Sequence, residues 1–471
     1  MERARYERLN RFFSPRGVAV IGATDKNLWF RNLLYYGKLC GADKRFIPVN
    51  PRAAEVCGVR TLPSIDALPE GKADFAVVMV RSDLVPGSVD KLVRKGIKNI
   101  LLISSGYAET GADGRAKQEE LGRFCRENDV LLLGPNCLGF MNFSEGVNVF
   151  TGGSVDGKPR PGPIGLVGQS GATSETIASK LFLKGLGISL YVTTGNEALI
   201  TAEDCMDYLV HDGRTRIITA FMEGFRDPGR MAEIAREAAS RRIPIIMLKV
   251  GRSERGILAA RSHTGAMAGN DAAMDGFFRQ HGIIRTESIE ELVETAAVFS
   301  LCPLPSGSRL GICTLSGGLC GLYADQCGSL GIEVPPLTEP TKAALRSLLP
   351  DFAQPDNPLD VTGSGFMQGM EGILKTLLAD ENLDMVAALS FVPSGDDDVL
   401  RIAFNETFFP LARKSRKPVF ALTFREMTPF GRSYYRQNGI YPIEHPLDSF
   451  KAISHLARYA RFIREISGGA G

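Results

Sequence analysis

A histidine set among small residues is the most conspicuous reactive group in this sequence. His263 lies in GRSERGILAARSHTGAMAGND, a stretch of glycine, alanine and serine with neither a strand pattern nor a bulky helical face to bury. It falls between an expected strand at 244–250 and an expected helix at 271–280, so packing explains neither the histidine nor its small neighbours. Imidazole is nucleophilic near neutral pH, and a nucleophile that travels between two sites needs a loop of this kind. Glu223 closes the run RIITAFM and so stands at a strand end. There it could accept an imidazole N–H and orient the other ring nitrogen for attack, with a solvated strand end as the plainer alternative. His211, His281, His445 and His455 lie in polar or helical surroundings and read as structural.

Two strand-to-helix turns could hold an anion. The run at 164–168 leads into Gln169, Ser170, Gly171 and Ala172, and the run at 309–315 leads into Ser316, Gly317 and Gly318. Small residues there leave the first helical N–H groups open, and the helix dipole favours negative charge at that end. Close strand–helix packing would demand the same residues. Gly22, Ala23 and Thr24 follow an apolar strand in the same way, without a full GxGxxG fingerprint, and Asn50-Pro51 follows FIPV. Both are expected at the ligand-binding edge of an open α/β sheet. The segment GGSVDGK at 152–158 imitates a phosphate loop in its spacing. Its next residue, Pro159, brings neither a hydroxyl for a metal ion nor an N–H, and no strand leads through it into a helix.

The elements that position these residues are short Val-, Ile- and Leu-rich runs alternating with helical patterns, the signature of parallel βαβ sheets. GVAVIGA, DFAVVMV, NILLIS and VLLLGPN, with helices near 82–96 and 115–128, make a Rossmann-like domain over 1–150. After the Gly- and Pro-rich linker TGGSVDGKPRPGP, a second series spans 158–304. A third, from RLGICTLSGGLCG through MVAALSFV and PVFALTF to a helix near 447–466, spans 305–471. The expected fold is α/β with three successive βα domains, in keeping with a length prior of roughly 150 residues per domain.

Composition narrows the partners. Apolar residues make up 44% and charged residues 23%, and Lys+Arg at 55 against Asp+Glu at 53 leaves a net charge of +2 without a basic block. Nucleic acid is a poor candidate. The nine cysteines are scattered without CxxC spacing, which fits reduced thiols and no metal site. The charged start MERARYERLNRFF and the lack of a long apolar run argue against a signal peptide or membrane span. A soluble, cytoplasmic protein is expected.

The order of motifs resembles the α subunit of ADP-forming acetyl-CoA and related acyl-CoA synthetases, in the succinyl-CoA synthetase superfamily. The resemblance is carried by VAVIGAT, IPVNPR, SSGYAETG, LLGPNCLG, GPIGLVGQSGA, TTGNEA, YLVHDGRTRIITAFMEG, LKVGRSERG, SHTGAMAG, LSGGLCG and NPLDVTG, in that order along nearly the whole chain. It implies a Rossmann-like CoA-binding domain followed by two flavodoxin-like domains. It implies that His263 is a phosphohistidine, that Glu223 steadies it, and that the turns at 169–172 and 316–318 hold its phosphate. Gly22, Ala23, Thr24, Asn50, Pro51, Ser105, Pro135 and Asn136 become candidate CoA contacts.

The implied reaction interconverts acyl-CoA, nucleoside diphosphate and phosphate with carboxylic acid, CoA and nucleoside triphosphate. No segment resembles an ATP-grasp domain, so an ATP-grasp β subunit carrying Mg²⁺ with the nucleotide is implied as partner in a hetero-oligomer. The chain departs from the family at Leu199 and Thr201, where acidic residues are common, and at Gly168, where a serine is. A CoA-sensing or scaffold subunit without turnover and a nicotinamide-dependent dehydrogenase are the alternative readings.

Overall fold

Runs such as Val18–Ile21, Phe75–Val78 and Ile217–Met222, apolar but for Thr219, are buried at every position, as strands covered on both faces must be. In a computed structural model these runs become the cores of three sheets; the residues described are 1–39, 41, 45–153, 155–157, 159–258 and 271–468, without the side chains of 364–368. The chain forms two compact units, Met1–Glu287 and Ser288–Gly471.

The first unit begins with helix α1 (Arg3–Phe12), strand β1 (Val18–Ile21), helix α2 (Leu28–Leu39) and β2 (Phe46–Val49). A small ribbon of β3 (Glu55–Val56) and β4 (Val59–Arg60) precedes β5 (Phe75–Val78), α3 (Val85–Arg94), β6 (Asn99–Leu102), α4 (Ala112–Glu127) and β7 (Leu131–Leu133). The first sheet has the order β2-β1-β5-β6-β7, all parallel.

The chain continues through β8 (Gly139–Asn142), β9 (Val147–Phe150), β10 (Pro161–Gly168), α5 (Gly171–Leu183) and β11 (Ile188–Thr193). Then come α6 (Ala202–His211), β12 (Ile217–Met222), α7 (Pro228–Ser240), β13 (Ile245–Lys249), the helix Asp271–His281 and β14 (Ile284–Thr286). The second sheet runs β14-β13-β12-β10-β11-β8-β9, with β8 antiparallel to both β11 and β9. Residues 139–150, expected with the first domain, therefore pair in the second sheet.

Phe12, Phe13, Phe75 and Phe140, none of them exposed, interlock edge to face between the two sheets, with centroids 5.0 Å apart for Phe12–Phe75 and 5.2 Å for Phe13–Phe140. Such aromatic packing, with its large buried area, makes one body of two sheets.

The second unit holds β15 (Leu310–Thr314), β16 (Leu359–Asp360), β17 (Met385–Ser390), β18 (Val419–Thr423) and β19 (Tyr441–Ile443), in the parallel order β16-β15-β17-β18-β19. The helix Ile289–Leu301, expected to close the second domain, belongs here and packs on the C-terminal helix Pro446–Gly468. His455 Nε2 lies 2.8 Å from Glu291 Oε1, and Tyr441 donates to Glu294. Burial pushes the His455 imidazole below its ordinary pKa, against the pull of Glu291. No described helix is long and apolar enough to cross a membrane.

Candidate functional site

Numbered by their order within each parallel core, all three sheets read 2-1-3-4-5. The chain direction reverses between strands 1 and 3, and a crevice opens there at the carboxyl ends. In the second sheet these strands are β10 and β12. The turn Gln169–Ala172 follows β10 and Glu223 follows β12, so two residues read separately from the sequence meet at one switch point.

Gln169 makes that meeting rigid. Its side chain is buried; Oε1 accepts from the N–H of Glu223 at 2.6 Å and of Gly224 at 3.1 Å. Its Nε2 donates to the carbonyl of Gly224 at 2.9 Å and to Glu197 Oε1 at 3.0 Å. A carboxamide has two donor hydrogens and two acceptor lone pairs, and all four are used. Gln169 belongs to the turn expected to hold phosphate, and its side chain is the brace of the Glu223 turn.

The groups left for an anion are the open N–H groups at the start of α5 and the Ser170 hydroxyl, which bonds Thr173 Oγ1 at 3.0 Å. Gly168 has a packing reason: a Cβ there would lie 1.7 Å from Ser174 Oγ, which donates to the Ser170 carbonyl. Thr201 has one too. It caps α6 in a reciprocal capping box with Asp204.

Glu197, which the sequence reading passed over, is fully enveloped. Oε1 accepts also from Thr194 Oγ1 at 2.9 Å and the Ala202 N–H at 3.0 Å, and Oε2 lies 3.2 Å from Arg226 Nε. Burial, reinforced by the nearby Glu203 carboxylate and opposed by Arg226 and the hydrogen bonds, lifts its carboxyl to a pKa of about 7. Lys249, also unread, is buried at the end of β13 and feels the charge of Glu223; burial first, and Arg285 second, lower its pKa.

The candidate CoA residues gather at the carboxyl edge of the first sheet, after β1, β2, β6 and β7. Gly22 has φ +93° and would press a Cβ to 2.8 Å from Val80, so only glycine fits. Ala23 is buried, whereas Thr24, Pro51 and Ser105 are exposed. Asn50 is buried and turned inward: Nδ2 donates to the Ala23 carbonyl at 2.8 Å, and Oδ1 accepts from the N–H groups of Arg52 and Ala53 at 2.7 and 3.0 Å. It shapes the turn.

Pro135, after a cis peptide bond, and Asn136 are joined to the second sheet's TTGNEA loop. The Asn196 N–H donates to the Pro135 carbonyl and the Ala198 N–H to that of Gly134, each at 2.9 Å. A Cβ at Gly195 would strike the carbonyls of Pro135 and Asn136 at 2.4 Å. Between the edges lies a cavity of about 240 Å³ lined by Asn136, Leu138, Ser170, Gly171, Asn196 and Trp29, the one tryptophan of the chain. A larger hollow of about 410 Å³, lined by residues such as Arg5, Arg8 and Leu131, includes none of these groups.

His263 lies outside the described residues, as does Lys158 of the phosphate-loop imitation. The chain leaves toward His263 from β13, where the Val250 N–H donates to the Met222 carbonyl at 3.0 Å, one residue before Glu223. It returns at Asp271, whose carboxylate pairs with Arg285 and Arg252. In the second unit Ser316, Gly317 and Gly318 begin the helix Gly317–Ser329 directly after β15, with both glycines exposed and Ser316 making no side-chain cap. Among the described residues no group of three or more His, Cys, Asp or Glu could hold a metal ion.

Residues 16–142 match the family described as CoA binding domain, and 161–299 the family described as succinyl-CoA ligase like flavodoxin domain. The chain is 33% identical to acetate–CoA ligase (ADP-forming) II subunit alpha of Pyrococcus furiosus, over 98% of this chain and 99% of that one. To acetate–CoA ligase (ADP-forming) I of Archaeoglobus fulgidus it is 32% identical over 96% of its own length but spans 64% of that protein. A dinucleotide forming acetyl-coenzyme A synthetase 1 from Ca. Korarchaeum cryptofilum, solved with phosphate and ADP, superposes with a TM-score of 0.83 at 28% identity, over 98% of this chain and 99% of that one.

Proposed function

The chain belongs to the family of ADP-forming acetate–CoA ligase α subunits, and from that premise we propose that it is the CoA-binding, phosphohistidine-bearing subunit of an acyl-CoA synthetase. The reaction interconverts acyl-CoA, nucleoside diphosphate and phosphate with carboxylic acid, CoA and nucleoside triphosphate. The observation that carries this reading is the switch point of the second sheet. Open helix N–H groups, the Glu223 carboxylate and the departure of the His263 segment from β13 share one sheet edge there.

In the first step a phosphate oxygen attacks the thioester carbonyl; the C–S bond breaks and the CoA thiolate leaves, taking up a proton. The developing charge lies against the N–H groups of Gly171 and Ala172. A neutral ring nitrogen of His263 then attacks phosphorus, the P–O bond to the acyl group breaks, and the carboxylate leaves. Glu223 accepts the N–H of the other ring nitrogen and steadies the cationic ring. Finally the terminal oxygen of a nucleoside diphosphate displaces the imidazole. Positioning and fixed dipoles suffice for such in-line transfers.

We assign the nucleotide, and the Mg²⁺ that accompanies it, to an ATP-grasp partner subunit. CoA goes to the loops at Gly22–Thr24, Pro51, Ser105 and Pro135–Asn136. The turn at Ser316–Gly318 is a candidate phosphate contact of the second unit on the same chemical ground. The eight described cysteines are free thiols, which suits a reducing cytoplasm. The CoA-binding family over 16–142 speaks against a nicotinamide in the first sheet.

The test is incubation of the chain with acetyl phosphate and Mg²⁺. An acid-labile, alkali-stable phosphate is expected, absent from His263→Ala. Equal labelling of the alanine variant would refute the mechanism, and no label on either would favour a CoA-sensing subunit.

A further inference from the structure

Glu223 belongs to a buried tie that continues well beyond it. Gln169 holds the backbone of 223–224 with three of its hydrogen bonds and gives the fourth to Glu197. Glu197 is held in turn by Thr194 and the Ala202 N–H. Arg226, three residues past Glu223, closes the circuit: its Nε meets Glu197 Oε2, its Nη2 donates to the Asn196 carbonyl at 2.8 Å, and its N–H donates to Glu203 Oε1 at 2.7 Å. The turn carrying Glu223 is thus clamped on both sides, and both clamps end on one carboxylate.

The Ala202 N–H that Glu197 Oε1 accepts opens α6 and could be met by a neutral oxygen; the bond to Arg226 is the one that uses the charge. Glu197 is 6% exposed and adopts φ +57°, a left-handed conformation that costs a residue with a Cβ. The charged or titratable groups that act on it are Glu203, Arg226 and Cys205, and Glu203 Oε2 is buried without a hydrogen-bond partner among the described residues. Placing two carboxylates together in the interior is costly and persists where their geometry serves something else. That something lies one side chain away.

We infer that Glu197 is a positioning residue for phosphoryl transfer: through Gln169 and Arg226 it sets where the Glu223 carboxylate meets the imidazole. The assignment rests on the synthetase reading above. On this assignment Glu197 acts only through Glu223. Replacing it with glutamine keeps the volume and the oxygen facing Gln169, Thr194 and Ala202, and turns an NH₂ toward Arg226 in place of an anion.

The experiment is a double-mutant cycle on the full chain, read as the single-turnover rate of His263 labelling by acetyl phosphate, with CoA affinity measured in parallel. Glu197→Gln is expected to label roughly tenfold more slowly, the effect of one lost charge-assisted bond, with CoA affinity unchanged. Glu223→Gln slows labelling more. The decisive result is the double variant, which should label no more slowly than Glu223→Gln alone, since a residue acting through another has no effect once that other is gone.

Rates that multiply would overturn the assignment, because a general structural role weakens the site whether or not Glu223 is present. Should Glu197→Gln not fold, the same cycle with Arg226→Gln decides, its side chain being 36% exposed and replaceable without a core defect. No label on the wild-type chain would overturn the synthetase reading, and this assignment with it. Label on the wild type with multiplying rates overturns the assignment alone.

Discussion

Truncating Gln169 to alanine removes the brace and leaves the Glu223 carboxylate in place. The variant strips acceptors from the N–H groups of Glu223 and Gly224 and a donor from the carbonyl of Gly224. A buried backbone group left unpaired costs about 1–3 kcal/mol. Gln169 lines the cavity beside the site, so water reaches the vacated volume and the lower end applies; three groups then cost about 3 kcal/mol together. If the turn relaxes to recover those bonds, Glu223 leaves its place, and the same free energy appears as a loss of roughly two orders of magnitude in the labelling rate of His263.

CoA affinity should hold, because the first-sheet loop reaches the second sheet through the bonds of Asn196 and Ala198 to Pro135 and Gly134, without Gln169. Rapid-quench labelling with acetyl phosphate and calorimetric titration with CoA separate the two effects. Labelling within about threefold of wild type would mean that the turn keeps its shape unaided and that the free energy assigned to the brace is too large. Equal losses in labelling and CoA affinity would mean that the whole edge had collapsed.

Three further expectations follow from the same geometry. A phosphohistidine raised on the isolated chain should persist when Mg²⁺ and ADP are added and discharge when an ATP-grasp subunit is supplied; rapid triphosphate formation by the pure chain would reveal a nucleotide site on it. Trp29, 41% exposed on the cavity wall, should shift its emission to the blue when CoA binds, and Trp29→Phe should abolish the signal; an unchanged spectrum would place the ligand elsewhere. The Glu197 carboxyl is raised from 4.5 to about 7 in the folded chain, so its proton stabilises the fold fully below the lower value, and that contribution is lost as pH rises through the upper one. Thermal unfolding of Glu197→Gln, which cannot ionise, should therefore gain on the wild type as pH rises across that interval, and a constant difference would contradict the raised value.

The parts of the site that were legible in the sequence share one property: their signal is local. A buried run ending in Gly168-Gln169-Ser170-Gly171 announces a strand meeting a helix at close quarters, and RIITAFM followed by Glu223 announces a carboxylate at a strand end. Each strand's own composition also indicated parallel sheets, because burial on both faces leaves no polar alternation. The hairpin of β8 and β9 marks the limit of such local signals. Its strands are only four residues each and follow β7 almost at once, and nothing within them says that Met141 will face Tyr191, as the register places it.

What no local pattern could carry is the role of Gln169. Its two kinds of partner lie 28 and 55 residues away, whereas the family resemblance implies a phosphate contact for the turn as a whole. Once its donors and acceptors are counted, the side chain and the backbone of that turn separate: the first N–H groups of α5 stay open and the side chain is closed on the Glu223 turn. Gly168, where the family has a serine, sits with its missing Cβ 1.7 Å from Ser174 Oγ, so a side chain there must turn that hydroxyl away from the Ser170 carbonyl. The residue at 168 therefore bears on the closure of the α5 turn, through the Ser174 hydroxyl that holds the Ser170 carbonyl.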